Sequence, residues 1–127
     1  MIREEMERRR FEELVEEAVA EIPEPFRAYL ENVEIVIEND PSPSLLRGMG
    51  LDPRRDSLFG LYQGVPLTDR GANDSMLLPD RITIFYRPLV RSFATPDAIR
   101  REVRRTVIHE IGHFFGLDEE QIQKDGF

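Results

Sequence analysis

Apolar residues recur along the chain with two distinct periods. Phe11, Leu14, Val15, Ala18, Val19 and Ile22 follow the i, i+3, i+4, i+7 spacing of one helix face. Glu and Arg fill the positions between, so this segment predicts an amphipathic helix, ended by Pro23 and Pro25. Phe26 to Leu30 fits a further short helical turn. Val33, Ile35 and Ile37 then alternate with Glu34, Val36 and Glu38, the period-two pattern of a half-buried strand. Residues 39–44 (NDPSPS) read as a turn-rich loop. Residues 45–56, with Gly48, Gly50 and Pro53, read as an irregular excursion. Ser57 to Gln63 predicts a strand, Gly64 a hairpin turn, and Val65 to Leu67 its returning arm. A second loop covers 69–80. Arg81 to Arg87 (RITIFYR) is the clearest strand, with Ile82, Ile84 and Tyr86 on one face and Thr83 and Phe85 on the other. Pro88 breaks it.

The last element predicts a long helix. Thr95 suits the N-cap, Pro96 the first helical position, and Asp97 the positive end of the helix dipole. Gly116 suits a left-handed stop after Phe115. Such a helix of twenty residues spans about 30 Å. Ile99 and Val103 oppose Arg100, Arg101, Arg104 and Arg105 in its first half. Val107, Ile108, Ile111, Phe114 and Phe115 make its second half apolar nearly all round, which predicts a buried end. Together these elements predict an α+β fold, with residues 1–127 as one domain.

Composition narrows the chemistry. The chain has 17 basic and 25 acidic residues, a formal charge of −8, no cysteine and two histidines. The absence of cysteine excludes disulfides, thiolate zinc fingers, iron–sulfur clusters and cysteine nucleophiles. The acidic balance disfavours a nucleic-acid partner. No apolar run is long enough to span a bilayer, and the charged start MIREEMERRRFEE does not read as a signal peptide. The expectation is a soluble cytoplasmic protein with no membrane partner. The arginine run and the glutamate-rich first helix read as solvated faces, or as faces that pair with each other within the fold or across a dimer.

Both histidines fall in one motif. His109-Glu110-Ile111-Gly112-His113 is an H-E-x-x-H sequence on the predicted helix. The i, i+4 spacing puts both imidazoles on one face, about 40° apart, with Glu110 about 60° beyond His113. Two imidazoles can then hold one metal ion, while the glutamate faces a water as general base. A catalytic zinc keeps three protein ligands. The string HEIGHFFGLDE matches H-E-x-x-H-x-x-G-x-x-(ligand), with Gly116 as the turn and Glu119 at the last position. Asp118 is the neighbouring alternative. Tyr62 or Tyr86 is a further candidate, as donor to a developing oxyanion.

The string HEIGHFFGLDEEQI, the RITIFYRP strand and the PEPFR and GLYQGVPL segments resemble the zincin-like metallopeptidase family of small bacterial proteins. The resemblance is strongest over residues 81–122. It implies a minimal zincin-like fold, a small sheet beside a long C-terminal active-site helix. It also implies zinc as the cofactor and carries ligand roles onto His109, His113 and the acid at 119. The family pattern has Asp at that position, so Glu119 is one methylene longer. The substrate implied is a peptide or protein, bound by strand addition along Ile82, Ile84 and Tyr86. Only eight residues follow Glu119, so no Met-turn and no downstream ligand helix are expected. Two other readings stay open: a zincin fold that binds metal or peptide without turnover, and a metal-dependent hydrolase of a non-peptide substrate.

Overall fold

The computed structural model describes residues 6–64, 79–124 and 126. Helix α1 spans Arg8–Ala20 and buries Phe11, Leu14, Val15 and Ala18, as the periodicity requires. A 3-10 turn follows over Phe26–Leu30. Strand β1 is Val33–Glu38, β2 is Gly60–Gln63 and β3 is Asp80–Phe85. Between β1 and β2 lies a short helix α2, Pro43–Gly48. Helix α3 covers Tyr86–Ser92, α4 covers Pro96–Phe115 and α5 covers Glu119–Lys124.

The three strands form one sheet in the order β1-β3-β2. β1 runs parallel to β3, pairing Val33 with Asp80 through to Glu38 with Phe85. β2 runs antiparallel to β3, pairing Gly60 with Ile84 and Tyr62 with Ile82. β3 is therefore the central strand, and its run from Ile82 to Phe85 is buried, as a strand covered on both faces should be. Helix α1 packs against α4. Phe11, Leu14, Ile99, Val103, Val107, Ile108 and Ile111 join Ile82 and Ile84 in one core. Each such side chain contributes about 1.5–3 kcal/mol by leaving water.

Along the α1–α4 rim the glutamates and arginines pair within the fold. Arg100 reaches Glu17 at 3.4 Å and Glu21 at 3.5 Å, and Arg104 reaches Glu21 at 2.8 Å. Partial desolvation works against the Arg100 charge. The Glu17 hydrogen bond and the charges of Glu21, Asp97 and Glu17 outweigh it, holding the guanidinium above its ordinary pKa.

Several elements differ from the sequence expectation. Helix α2 takes up the end of the expected 39–44 loop and the start of the expected 45–56 excursion, because Ser42 accepts from the Leu45 N–H at 3.1 Å and Pro43 occupies the first turn. The second strand begins at Gly60 rather than Ser57. The third strand stops at Phe85, and Tyr86 opens a helix. Pro88 sits in the first turn of that helix, where a missing N–H leaves no hydrogen bond unmade, so it does not act as a breaker. The expected hairpin arm Val65 to Leu67, and most of the loop that follows, lie outside the described residues. Among the described residues, no helix is long and apolar enough to cross a membrane.

Candidate metal centre and its grooves

Helix α4 starts and stops where its sequence directs. The Thr95 side chain accepts from the Ala98 N–H at 3.1 Å, and Asp97 lies in the first turn. Gly116 adopts φ 67°, and the Leu117 N–H returns to the Gly112 carbonyl at 2.8 Å. This reversal turns the chain back along α4. Asp118 then caps α5: its Oδ1 accepts from the Glu120 N–H at 2.9 Å. Glu119, the first residue of α5, reaches back so that its Oε1 lies 3.1 Å from His109 Nδ1. The two candidate acids have thus taken different partners, Asp118 the helix backbone and Glu119 the first histidine.

Gly112 holds α5 in place. A Cβ there would stand 2.5 Å from Cδ1 of Ile122, a residue only 1% exposed. The bare backbone at Gly112 lets α5 approach closely enough to bring Glu119 over His109.

Strand β2 fixes the other side of the motif. Its Tyr62 N–H donates to Glu110 Oε1 at 3.0 Å. The second carboxylate oxygen of Glu110 lies 3.7 Å from His113 Nδ1. The Tyr62 hydroxyl donates to Asp80 Oδ2 at 2.7 Å, and its ring stacks on Phe114 with centroids 4.0 Å apart. Gly60 faces Thr106, Tyr62 faces Glu110 and Gly64 faces Phe114. Every second strand residue therefore meets every fourth helix residue. The match is geometric: two strand residues rise about 6.6 Å and four helix residues about 6.0 Å. Gly60 and Gly64 permit the approach, since a Cβ would lie 2.7 Å from Thr106 Cγ2 at the first and 2.9 Å from Phe114 at the second.

Glu110 lies between two grooves. One, of about 460 Å3, is shared with His109, Glu102, Arg105 and Phe59. The other, of about 330 Å3, is shared with His113, Met49, Leu61 and Phe114. Sequence reasoning did not single out Met49, Gly60 or the Tyr62 amide. The spacing of Gly60 and Gly64 around Tyr62 was the available signal for Gly60.

Three expectations about the site are corrected. The end of α4 is not buried all round: Phe114 is 48% exposed, Phe115 is 43% exposed, and the His113 side chain is 68% exposed. Strand addition along Ile82, Ile84 and Tyr86 does not hold, because β3 is paired on both edges and Tyr86 belongs to α3. The outer edge of β2 is the one beside Glu110, and among the described residues it has no strand partner. The hydroxyls of Tyr62 and Tyr86 are both engaged away from the histidines, on Asp80 and on the Met6 carbonyl. Among the described residues, no group of three His, Asp or Glu side chains stands close enough together to hold a metal ion. The motif instead presents two neighbouring pairs, His109 with Glu119 and His113 with Glu110, with the imidazole centroids 6.5 Å apart.

A conserved hypothetical protein from Thermo thermophilus has a similar structure, with a TM-score of 0.57 at 25% identity. The alignment covers 87% of this chain and 94% of that one. No curated protein matches the sequence. The model of the zincin-like metallopeptidase family matches residues 30–126, which takes in the whole sheet, the H-E-x-x-H helix and the turn to Glu119. By that match the chain belongs to the zincin-like metallopeptidase family.

Proposed function

We propose that the protein is a zinc-dependent peptidase, with His109, His113 and Glu119 as metal ligands and Glu110 as general base. The observation that carries this reading is the position of Glu119. The turn at Gly116 and the seat at Gly112 bring its carboxylate to 3.1 Å from His109, although the two are ten positions apart in sequence.

The donor chemistry fits zinc, which accepts imidazole nitrogen and carboxylate oxygen in a set of three with one position open. His109 and Glu119 already stand together. His113 is largely exposed and has room to turn toward them. Asp118 is the poorer candidate, because its carboxylate satisfies the start of α5. Zinc, when bound, supplies Lewis acidity that polarises a carbonyl and acidifies water toward neutral pH.

The chain's own groups supply the rest. The Tyr62 N–H fixes one oxygen of Glu110, so the carboxylate cannot swing with its side chain. The other oxygen lies on the His113 side and takes the proton of the attacking water. The same carboxylic acid then returns that proton to the departing amine. The substrate backbone lies along the outer edge of β2, which brings its carbonyl alongside Glu110.

Glu110→Gln tests the reading, since the amide keeps an oxygen for the Tyr62 N–H but cannot take a proton. Zinc content should stay at the wild-type level, and peptide hydrolysis should fall by about 10²–10⁴. Unchanged hydrolysis would remove Glu110 from the mechanism.

A further inference from the structure

The two grooves that meet at Glu110 differ in chemistry. On the His109 side the wall carries the charges of Glu102 and Arg105. On the His113 side it carries Met49, Leu61, Tyr62 and Phe114. Met49 is 44% exposed and Phe114 is 48% exposed, and with Phe115 they are the exposed large apolar side chains of the described residues. Two of these three thus line one small cavity together with the proposed base. The Phe114 ring is held flat against Tyr62, and Tyr62 is tied to Asp80, so this wall is fixed rather than adaptable.

We infer that this cavity is a specificity subsite for one large apolar side chain of an extended peptide, next to the scissile bond on the His113 side. The inference rests on the peptidase reading above. Occupancy by substrate, rather than by another partner, follows from continuity: Glu110 and His113 themselves form part of the cavity wall. An occupant therefore lies against the reacting groups. Position follows from the match between β2 and α4. A peptide laid along β2 advances about 6.6 Å per two residues, close to one helical turn of α4. A side chain one such step from Glu110 toward the end of α4 meets Phe114 and Met49. One step the other way it meets Thr106, in the groove whose wall also carries Arg105 and Glu102. An apolar side chain is stabilised only in the first direction, where it leaves water without stripping charges.

Binding and cleavage together test this. Three fluorescein-labelled decapeptides of Ala and Ser would differ only at one central position, Leu, Ser or Lys. Their binding to zinc-supplemented Glu110→Gln protein is read by fluorescence polarisation. The Leu peptide should bind about tenfold or more tighter than the Ser peptide. Adding Met49→Asp should abolish that preference and favour the Lys peptide. Met49 is exposed, so the substitution leaves the core intact, which circular dichroism verifies. Equal binding of Leu and Ser peptides, or no binding of either, would overturn the subsite. So would a Leu preference that survives Met49→Asp in the folded protein. Wild-type cleavage of the same peptides separates the two ideas. A Leu preference in binding with no cleavage leaves the subsite standing and removes the peptidase reading. Equal cleavage of Leu and Ser peptides does the reverse.

Discussion

Gly60 is where the fit between strand and helix can be measured as stability. Its φ is not positive, so replacing it with Ala costs nothing in backbone conformation, and the effect is purely steric. The new methyl would stand 2.7 Å from Thr106 Cγ2, 3.0 Å from the Thr83 carbonyl oxygen and 3.3 Å from Ile84 Cδ1. Carbon atoms in contact prefer about 3.5–4.0 Å, so the shortfall against Thr106 is near one ångström. The Thr83 oxygen belongs to the central strand and cannot step aside. Overpacking of this kind costs about 1–3 kcal/mol. Reduced freedom of the unfolded chain returns about 0.4–1 kcal/mol. A net loss of about 1–2 kcal/mol lowers the melting temperature by about 3–12 °C for a domain of this size. Moving β2 away from α4 by half an ångström would also stretch the 3.0 Å bond from Tyr62 to Glu110 to the limit of hydrogen bonding. Thermal unfolding followed by far-ultraviolet circular dichroism reads the stability. Gly48→Ala is the matched control, since a Cβ there meets nothing within 4 Å. A melting temperature for Gly60→Ala equal to or above wild type would refute the steric argument.

Other substitutions separate the roles of neighbouring residues. Glu119→Ala should weaken zinc affinity at least tenfold in a competition titration, whereas Asp118→Ala should mainly cost the cap of α5, about 0.5–2 kcal/mol of local helix stability. The reverse ranking would make Asp118 the ligand. Thr95→Ala should destabilise the protein by about 1 kcal/mol in urea unfolding and leave zinc affinity unchanged, because the cap lies at the far end of α4 from the histidines. Glu21→Ala removes a carboxylate shared by Arg100 and Arg104; the glutamate is exposed and its partners half-buried, so the loss should be about 1 kcal/mol and shrink as salt is added.

Much of this arrangement is legible in the sequence, for local reasons. The limits of α4 follow from Thr95, Pro96 and Gly116, each acting on backbone within a few residues of itself. The faces of α1 and β1 follow from periodicity, because burial on one side imposes it. The pairing of His109 with position 119 follows from one turn at Gly116. What the sequence hides is non-local. Nothing in RITIFYRP reveals that β3 is flanked on both sides, since its apolar run suits any buried strand. Sheet order depends on where β1 and β2 come to rest, and only the assembled fold shows that β2 holds the edge beside Glu110. Likewise, Phe114 and Phe115 look like core residues on a helical wheel. They pack on Tyr62 at the outer edge of the sheet, where one side of each ring stays open to solvent, and Phe114 becomes the rim of a groove. Met49 follows an early helix and reaches that groove only through the tertiary fold.

The central claim is that the residues brought together by the Gly116 turn hold a metal. Elemental analysis of purified wild-type protein beside His113→Ala tests it most directly. The account predicts about one zinc per wild-type chain and loss of that zinc in His113→Ala. Wild-type protein without metal, or a His113→Ala variant that keeps the full wild-type complement, would contradict it.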